Sequence, residues 1–285
     1  MVMPQNSISL DDPRKNALLS MKDSIPLSTW EKNTSFLKSL RDQITNHRVS
    51  THPAIEILKS GQLNTDQLKI IHLEYRHAIV QVFTDALLMA QFQTKQLEPA
   101  LTSGSKMAAR FLLSLNVLDE FGFKPGLSQN GYYMGHPDFA HYPLYEKLLE
   151  SLDITETDKN EFVPSEISDQ VRCYLEDAYD CYISVTALLA VAEEEVILFS
   201  PALREAVKAI GRSVDSGYYY VHGISDDEFS DAADDDHEDD LWFILTQACS
   251  EEHYEYLSKI CTEYCELWCK FWDYQMHDLN LKIEF

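Results

Sequence analysis

Glycine and proline are scarce in this 285-residue chain, nine and ten respectively. The prolines keep out of nearly all the long apolar-periodic stretches, which argues against a sandwich or barrel and for a mostly helical protein. No apolar run reaches the length of a membrane span. Lysine and arginine are also few, 23 against 47 acidic residues, for a net charge of −24. Phosphate binding needs clustered cations, so neither nucleic acid nor an anionic membrane is expected as a partner. No CxxC pair occurs among the six cysteines. Cys261, Cys265 and Cys269 recur every four residues, on one helix face, and read as packed reduced thiols. The opening MVMPQNSISLDDPRKN lacks the charged-then-apolar layout of a signal peptide, so a cytoplasmic location is expected.

With 45% hydrophobic residues the chain can build a real core. Residues 1–27 read as an irregular arm, and 28–285 as a single all-α domain. Within it, helical periodicity predicts Ser28–Val49, Pro53–Lys59, a long helix starting at Asn64 or Thr65, Pro99–Phe121, Ala140–Leu152, a long Ser165–Phe199, a short Pro201–Ile210, and a final helix from about Ala232 to Met276 that allows a break. His72 and His77 on the third of these read as hydrogen-bonded histidines of core or surface. Residues 155–164 read as a polar connector. No internal repeat is visible, and low complexity is confined to 226–240, where ten of fifteen residues are acidic.

Chemistry-bearing residues recur where such helices head inward. Asp234, His237, Leu241, Ile244, Leu245 and Ala248 fall on one helix face, so a carboxylate and an imidazole stand at the head of an apolar stripe. His141 heads a similar stripe, Leu144, Tyr145, Leu148, Leu149 and Leu152. Glu120 closes the inward face of Leu113, Asn116 and Val117. The triplet Glu193 to Glu195 interrupts a helix apolar on most sides, so at least one of the three turns inward. His222 ends an aromatic run, Tyr218 to Val221. Burying such groups alone is costly, and a metal ion is one compensation. Three carboxylates and three imidazoles on separate helices suit two irons in a helical bundle, with sites left for dioxygen. Zinc is less suited, since a structural zinc site closes with four ligands, usually including thiolates. The aromatics Tyr132, Tyr133, Phe139 and Tyr145 are candidates for lining the cavity.

Two stretches then carry a resemblance. Asn116 to Gly122 (NVLDEFG), a loop, and Ala140 to Ile154 (AHYPLYEKLLESLDI) resemble the second-helix signature of the haem-oxygenase-like di-iron oxidases. Thr186 to Glu193 (TALLAVAE) is similar to the run before that family's third-helix carboxylate. An aromatic run ending in His, followed by Asp-x-x-His, resembles its last helix. The likeness spans roughly residues 60–275. It implies a single-domain haem-oxygenase-like helical bundle whose metal ligands are Glu120, His141, Glu193, His222, Asp234 and His237. It also implies two irons per chain, dioxygen as co-substrate, an external electron donor and a small organic substrate. A homodimer is compatible with it.

This chain departs from the family pattern in three places. The loop between Glu120 and His141 is long and contains His136, a competing ligand. The interval from His222 to Asp234 is extended, and Asp226 stands where the pattern places the Asp. Spacing does not separate Glu193 from Glu195. Two other functions stay open: a metal-free, thiaminase-like enzyme on the same fold, which needs a nucleophilic cysteine such as Cys181 in its pocket, and a non-enzymatic interaction protein recognised through the acidic segment.

Overall fold

The computed structural model describes residues 12–221 and 233–278, with side chains left undescribed at 233–238 and at 278. Asp12 caps α1 (Pro13–Asp23), accepting the Lys15 N–H, with Pro13 at the first helical position. This helix lies inside the segment expected to be irregular. Its Ala17 and Met21 are buried, and it packs on α6, α12 and α2, a tertiary rescue of a weakly amphipathic sequence.

The next helices follow the sequence signals more closely. After α2 (Leu27–Thr45) and a short 3₁₀ turn, α3 spans Pro53–Lys59 as expected, and Gly61 follows it at φ 68°. Asn64 and Gln67 form a reciprocal capping box that starts α4 (Thr65–Tyr75). The long helix predicted there does not run on. A π-helical turn, Arg76–Val80, intervenes before α5 (Phe83–Gln93). The turn rotates Ile79 and Val80 onto the wall of the cavity described below.

The helix expected from Pro99 begins later, as α6 (Lys106–Glu120). Between α6 and α7 (His141–Ser151) the chain makes an antiparallel hairpin, β1 (Phe123–Leu127) with β2 (Tyr133–Gly135). The polar connector holds a short α8 (Glu156–Glu161), started by Thr155. The single helix predicted over 165–199 is two: α9 (Glu166–Glu176) and α10 (Tyr182–Ala209), parted at Asp177–Cys181. α10 in turn absorbs the short helix expected at Pro201, which it carries internally. A four-residue α11 (Tyr218–Val221) precedes the undescribed stretch. The last helix is broken as allowed, into α12 (Ala233–Ala248) and α13 (Tyr254–Asp278), with Ser250 and His253 capping the intervening turn.

α10 is the axis of the bundle, packed against α3, α5, α12 and α13. That is why its sequence is apolar nearly all round. No helix among the described residues is long and apolar enough to cross a membrane.

Candidate metal centre

Glu120 is the last residue of α6 and His141 the first of α7. Twenty residues separate them, yet their side chains meet: His141 Nδ1 lies 2.9 Å from Glu120 Oε1, and Nε2 lies 3.6 Å from Asp119 Oδ2. Two glycines make this possible. Gly122 ends α6 at φ +79°, and a Cβ there would stand 2.5 Å from the backbone of Phe139 and Ala140. Gly135 has φ +149°, and a Cβ there would stand 2.7 Å from the Gly122 carbonyl. The hairpin therefore leaves and returns through a point where only backbone fits, and the His136 N–H donates to Gly122 O at 3.1 Å to close it. The extra loop length is spent in the hairpin, and the junction of α6 with α7 is kept.

The third predicted ligand joins them from another helix. Glu193, in the middle of α10, is 2% exposed, and with Glu120 and His141 it lines one cavity of about 20 Å³. Thr84, Tyr142 and Tyr218 add hydroxyls to this cavity, while Ile79, Val80, Phe83 and Val196 form its apolar wall. Its volume is that of roughly one water molecule.

The structure places the alternatives that spacing left open in different surroundings. Both Glu193 and Glu195 are buried, but Glu195 is engaged elsewhere. Its Oε2 accepts from the Tyr75 hydroxyl at 2.7 Å and its Oε1 from Trp272 Nε1–H at 2.9 Å. Burial pushes its carboxyl up to about 8. His136 is largely exposed and caps a 3₁₀ turn by accepting from Asp138 N–H, whereas His141 is buried. Tyr132, Tyr133 and Phe139 are exposed and do not line the cavity; Tyr145 is fully buried in the layer beneath it. Sequence reasoning missed Tyr142, Thr84 and Asp119. The i,i+1 step from His141 to Tyr142 was the available signal for the first, while Thr84 depends on the π turn.

His222 and Asp226 lie outside the described residues. Asp234 and His237 fall in the first turns of α12, where the backbone is described and their side chains are not. Among the described residues, no three His, Cys, Asp or Glu side chains close to metal-holding spacing. The described half of the expected set is a buried pair with a third carboxylate on the same cavity. Its donors, anionic oxygen and imidazole nitrogen, suit a ferrous or similar divalent ion.

The cysteines play no part here. None lines the cavity, and burial pushes Cys249 and Cys261 up to about 12 and Cys269 to about 11. His72 and His77 are hydrogen-bonded as expected. His72 Nδ1–H donates to Leu68 O at 2.6 Å, so Nε2 accepts from the Tyr219 hydroxyl at 2.7 Å; His77 meets Asp169 at 2.6 Å.

No protein-family model matches the chain, and no curated protein matches it. Solved structures do. A TenA homologue from P. horikoshii OT3 superposes with a TM-score of 0.58, covering 86% of this chain and 98% of its own, at 16% identity. A TenA homologue from Pseudomonas syringae pv. tomato str. DC3000 gives 0.57, covering 84% and 93%, at 12% identity. At such identities the likeness defines the fold. The chain has the all-α, TenA/haem-oxygenase-like fold, over nearly the full length of those structures.

Proposed function

We propose that this chain is a non-haem iron oxidoreductase of the di-iron type, using dioxygen and electrons from an external donor to oxidise a small organic substrate in the cytoplasm. One observation carries the reading: the buried Glu120, His141 and Glu193, drawn from three helices, line one small cavity, with Glu120 and His141 in contact. In this proposal His222, Asp234 and His237 complete the ligand set. Iron bound there would supply the activation of dioxygen. The chain's own residues provide the rest. Two carboxylates would offset the charge of the ion and His141, held against Glu120, would contribute a nitrogen, while Ile79, Val80, Phe83 and Val196 give the cavity an apolar wall. Asp119, on the other nitrogen of His141, orients the ring.

The second reading, a metal-free thiaminase-like enzyme, draws support from the fold shared with TenA homologues. It needs a nucleophile at the cavity. Cys181 stands at the N-cap position of α10 without a side-chain capping bond, half-buried and away from the cavity lining.

Anaerobic loading with ferrous iron, followed by oxygen, separates the two. About two irons per chain and a transient visible band are expected for a carboxylate–imidazole centre of this kind. A chain that binds no iron yet cleaves a thiamine-like substrate would establish the second reading.

A further inference from the structure

α6 is apolar on its outer side as well as its inner one. Leu112, Leu113 and Asn116 face the core, while Met107, Phe111, Leu115 and Leu118 follow a second stripe on the opposite side. A helix at the surface of a bundle needs only the first. The end of the second stripe, Leu115 and Leu118, lines a cleft of about 540 Å³ where α6, α1 and the hairpin meet. A space of that size holds a small organic molecule. Its hairpin side is apolar too, formed by Phe123, Leu127 and Tyr133, and the last two are 63% and 69% exposed. One exposed apolar side chain is ordinary, whereas several gathered around one concave surface mark a binding site.

Charge narrows what the cleft can take. Between Glu98 and Asp138 the chain carries only two of its 47 acids, Asp119 and Glu120, and both are turned to His141. Lys124 stands on the hairpin side of the cleft with no ion-pair partner among the described residues, whereas Arg14 on the α1 side is paired with Asp240 at 3.1 Å. A cationic ligand would meet these two like charges. A neutral apolar one would cover Lys124 without compensating its charge. A phosphate ester asks for several converging donors, and Arg14 is already engaged. A single carboxylate on an apolar body matches one ammonium beside an apolar floor. The hairpin also favours a flat body. Phe123 and Tyr133 meet edge to face, centroids 6.2 Å apart at 90°, a packing that a further aromatic ring extends.

We propose that the cleft between α1, α6 and the hairpin binds a planar aromatic monocarboxylate, with the carboxylate on Lys124 and the ring against Leu118, Phe123 and Tyr133. The inference needs no metal. Asp119 stands between this cleft and His141, and binding is read on the metal-free chain.

Equilibrium dialysis of the full-length chain against 2-naphthoate tests the proposal, with 2-naphthalenemethanol and 2-naphthylmethylammonium as neutral and cationic counterparts. One naphthoate per chain is expected, held more tightly than either counterpart, with an advantage that shrinks as salt is added. Lys124 is exposed, so Lys124→Gln should leave the fold intact, weaken naphthoate about fivefold and bring it level with the alcohol. Leu127→Ser, also at an exposed position, should weaken the acid and the alcohol alike. Naphthoate binding that neither substitution changes, equal binding of acid and ammonium, or no binding at millimolar naphthoate would overturn the proposal. Sedimentation velocity supplies the remaining arm. A parent chain that sediments as a dimer, and as a monomer in Leu127→Ser, would mean that a second copy covers the cleft, and would overturn it too. None of these outcomes touches the iron reading, because no iron is present in the measurement.

Discussion

Glu193 and Glu195 stand two residues apart on α10, both 2% exposed, and they do different things. Two residues of helix turn the side chain through roughly half a circle, so one glutamate faces α6 and α7 across the cavity while the other faces α4 and α13. Glu195 is satisfied by a phenol and an indole, the donors that a neutral or singly charged buried carboxyl needs. Glu193 shares its space with a second carboxylate and an imidazole, a gathering that burial alone makes expensive and a cation would relieve. Inward direction therefore does not mark a ligand on a helix covered on all sides. The neighbours do.

The largest expected effect tests that contrast directly. Glu193→Ala or Glu120→Ala should abolish stoichiometric iron binding with the far-ultraviolet circular dichroism unchanged, and Glu195→Gln should leave iron content as it was. Equal iron loss in Glu193→Ala and Glu195→Gln would erase the distinction.

Next comes the junction that brings Glu120 to His141. Gly122→Ala places a methyl group against backbone at a positive φ, which should cost about 1–3 kcal/mol in a denaturant titration and weaken iron binding together. An unaffected midpoint would mean that the hairpin yields and the junction does not depend on it.

On the Glu195 side the expectation is stability without metal. Tyr75→Phe removes one donor from a buried carboxyl and should cost about 1–3 kcal/mol, with iron content unchanged.

The smallest effect is a pH slope in the same aromatic layer. Burial holds the His72 imidazole down to about 4, against an ordinary value near 6.5. The unfolded chain therefore binds a proton that the folded one refuses between these values. The His72 contribution is complete above pH about 6.5 and is lost as pH falls towards about 4. His72→Phe should flatten the acid limb of the unfolding midpoint over that window. An unchanged limb would assign acid sensitivity to other groups.

Much of this was legible in the sequence because it depends on local pattern. Asn64, the Pro53 start and the His141 stripe mark their helices, and the resemblance carried by NVLDEFG and AHYPLYEKLLESLDI implies that Glu120 and His141 come together, as they do. Where the reading failed, tertiary forces had the last word. α1 forms because α6 covers Ala17 and Met21; the π turn at Arg76–Val80 carries no signature that apolar periodicity registers; and the parting of α9 from α10 at Asp177–Cys181 lies in a stretch that still reads as helix. The hairpin reads as a loop in the sequence because its strands are exposed on both faces and show no alternation.

The sequence by itself determined the all-helical class, the acidic net charge, and which carboxylates and imidazoles stand on inward helix faces, since composition and periodicity act through near neighbours. Tertiary structure alone decided that Glu193 and not Glu195 lines the cavity with Glu120 and His141, and that Glu195 takes its hydrogen bonds from Tyr75 and Trp272. Those outcomes depend on which helix face meets which neighbour, and that is set by the packing of the whole bundle.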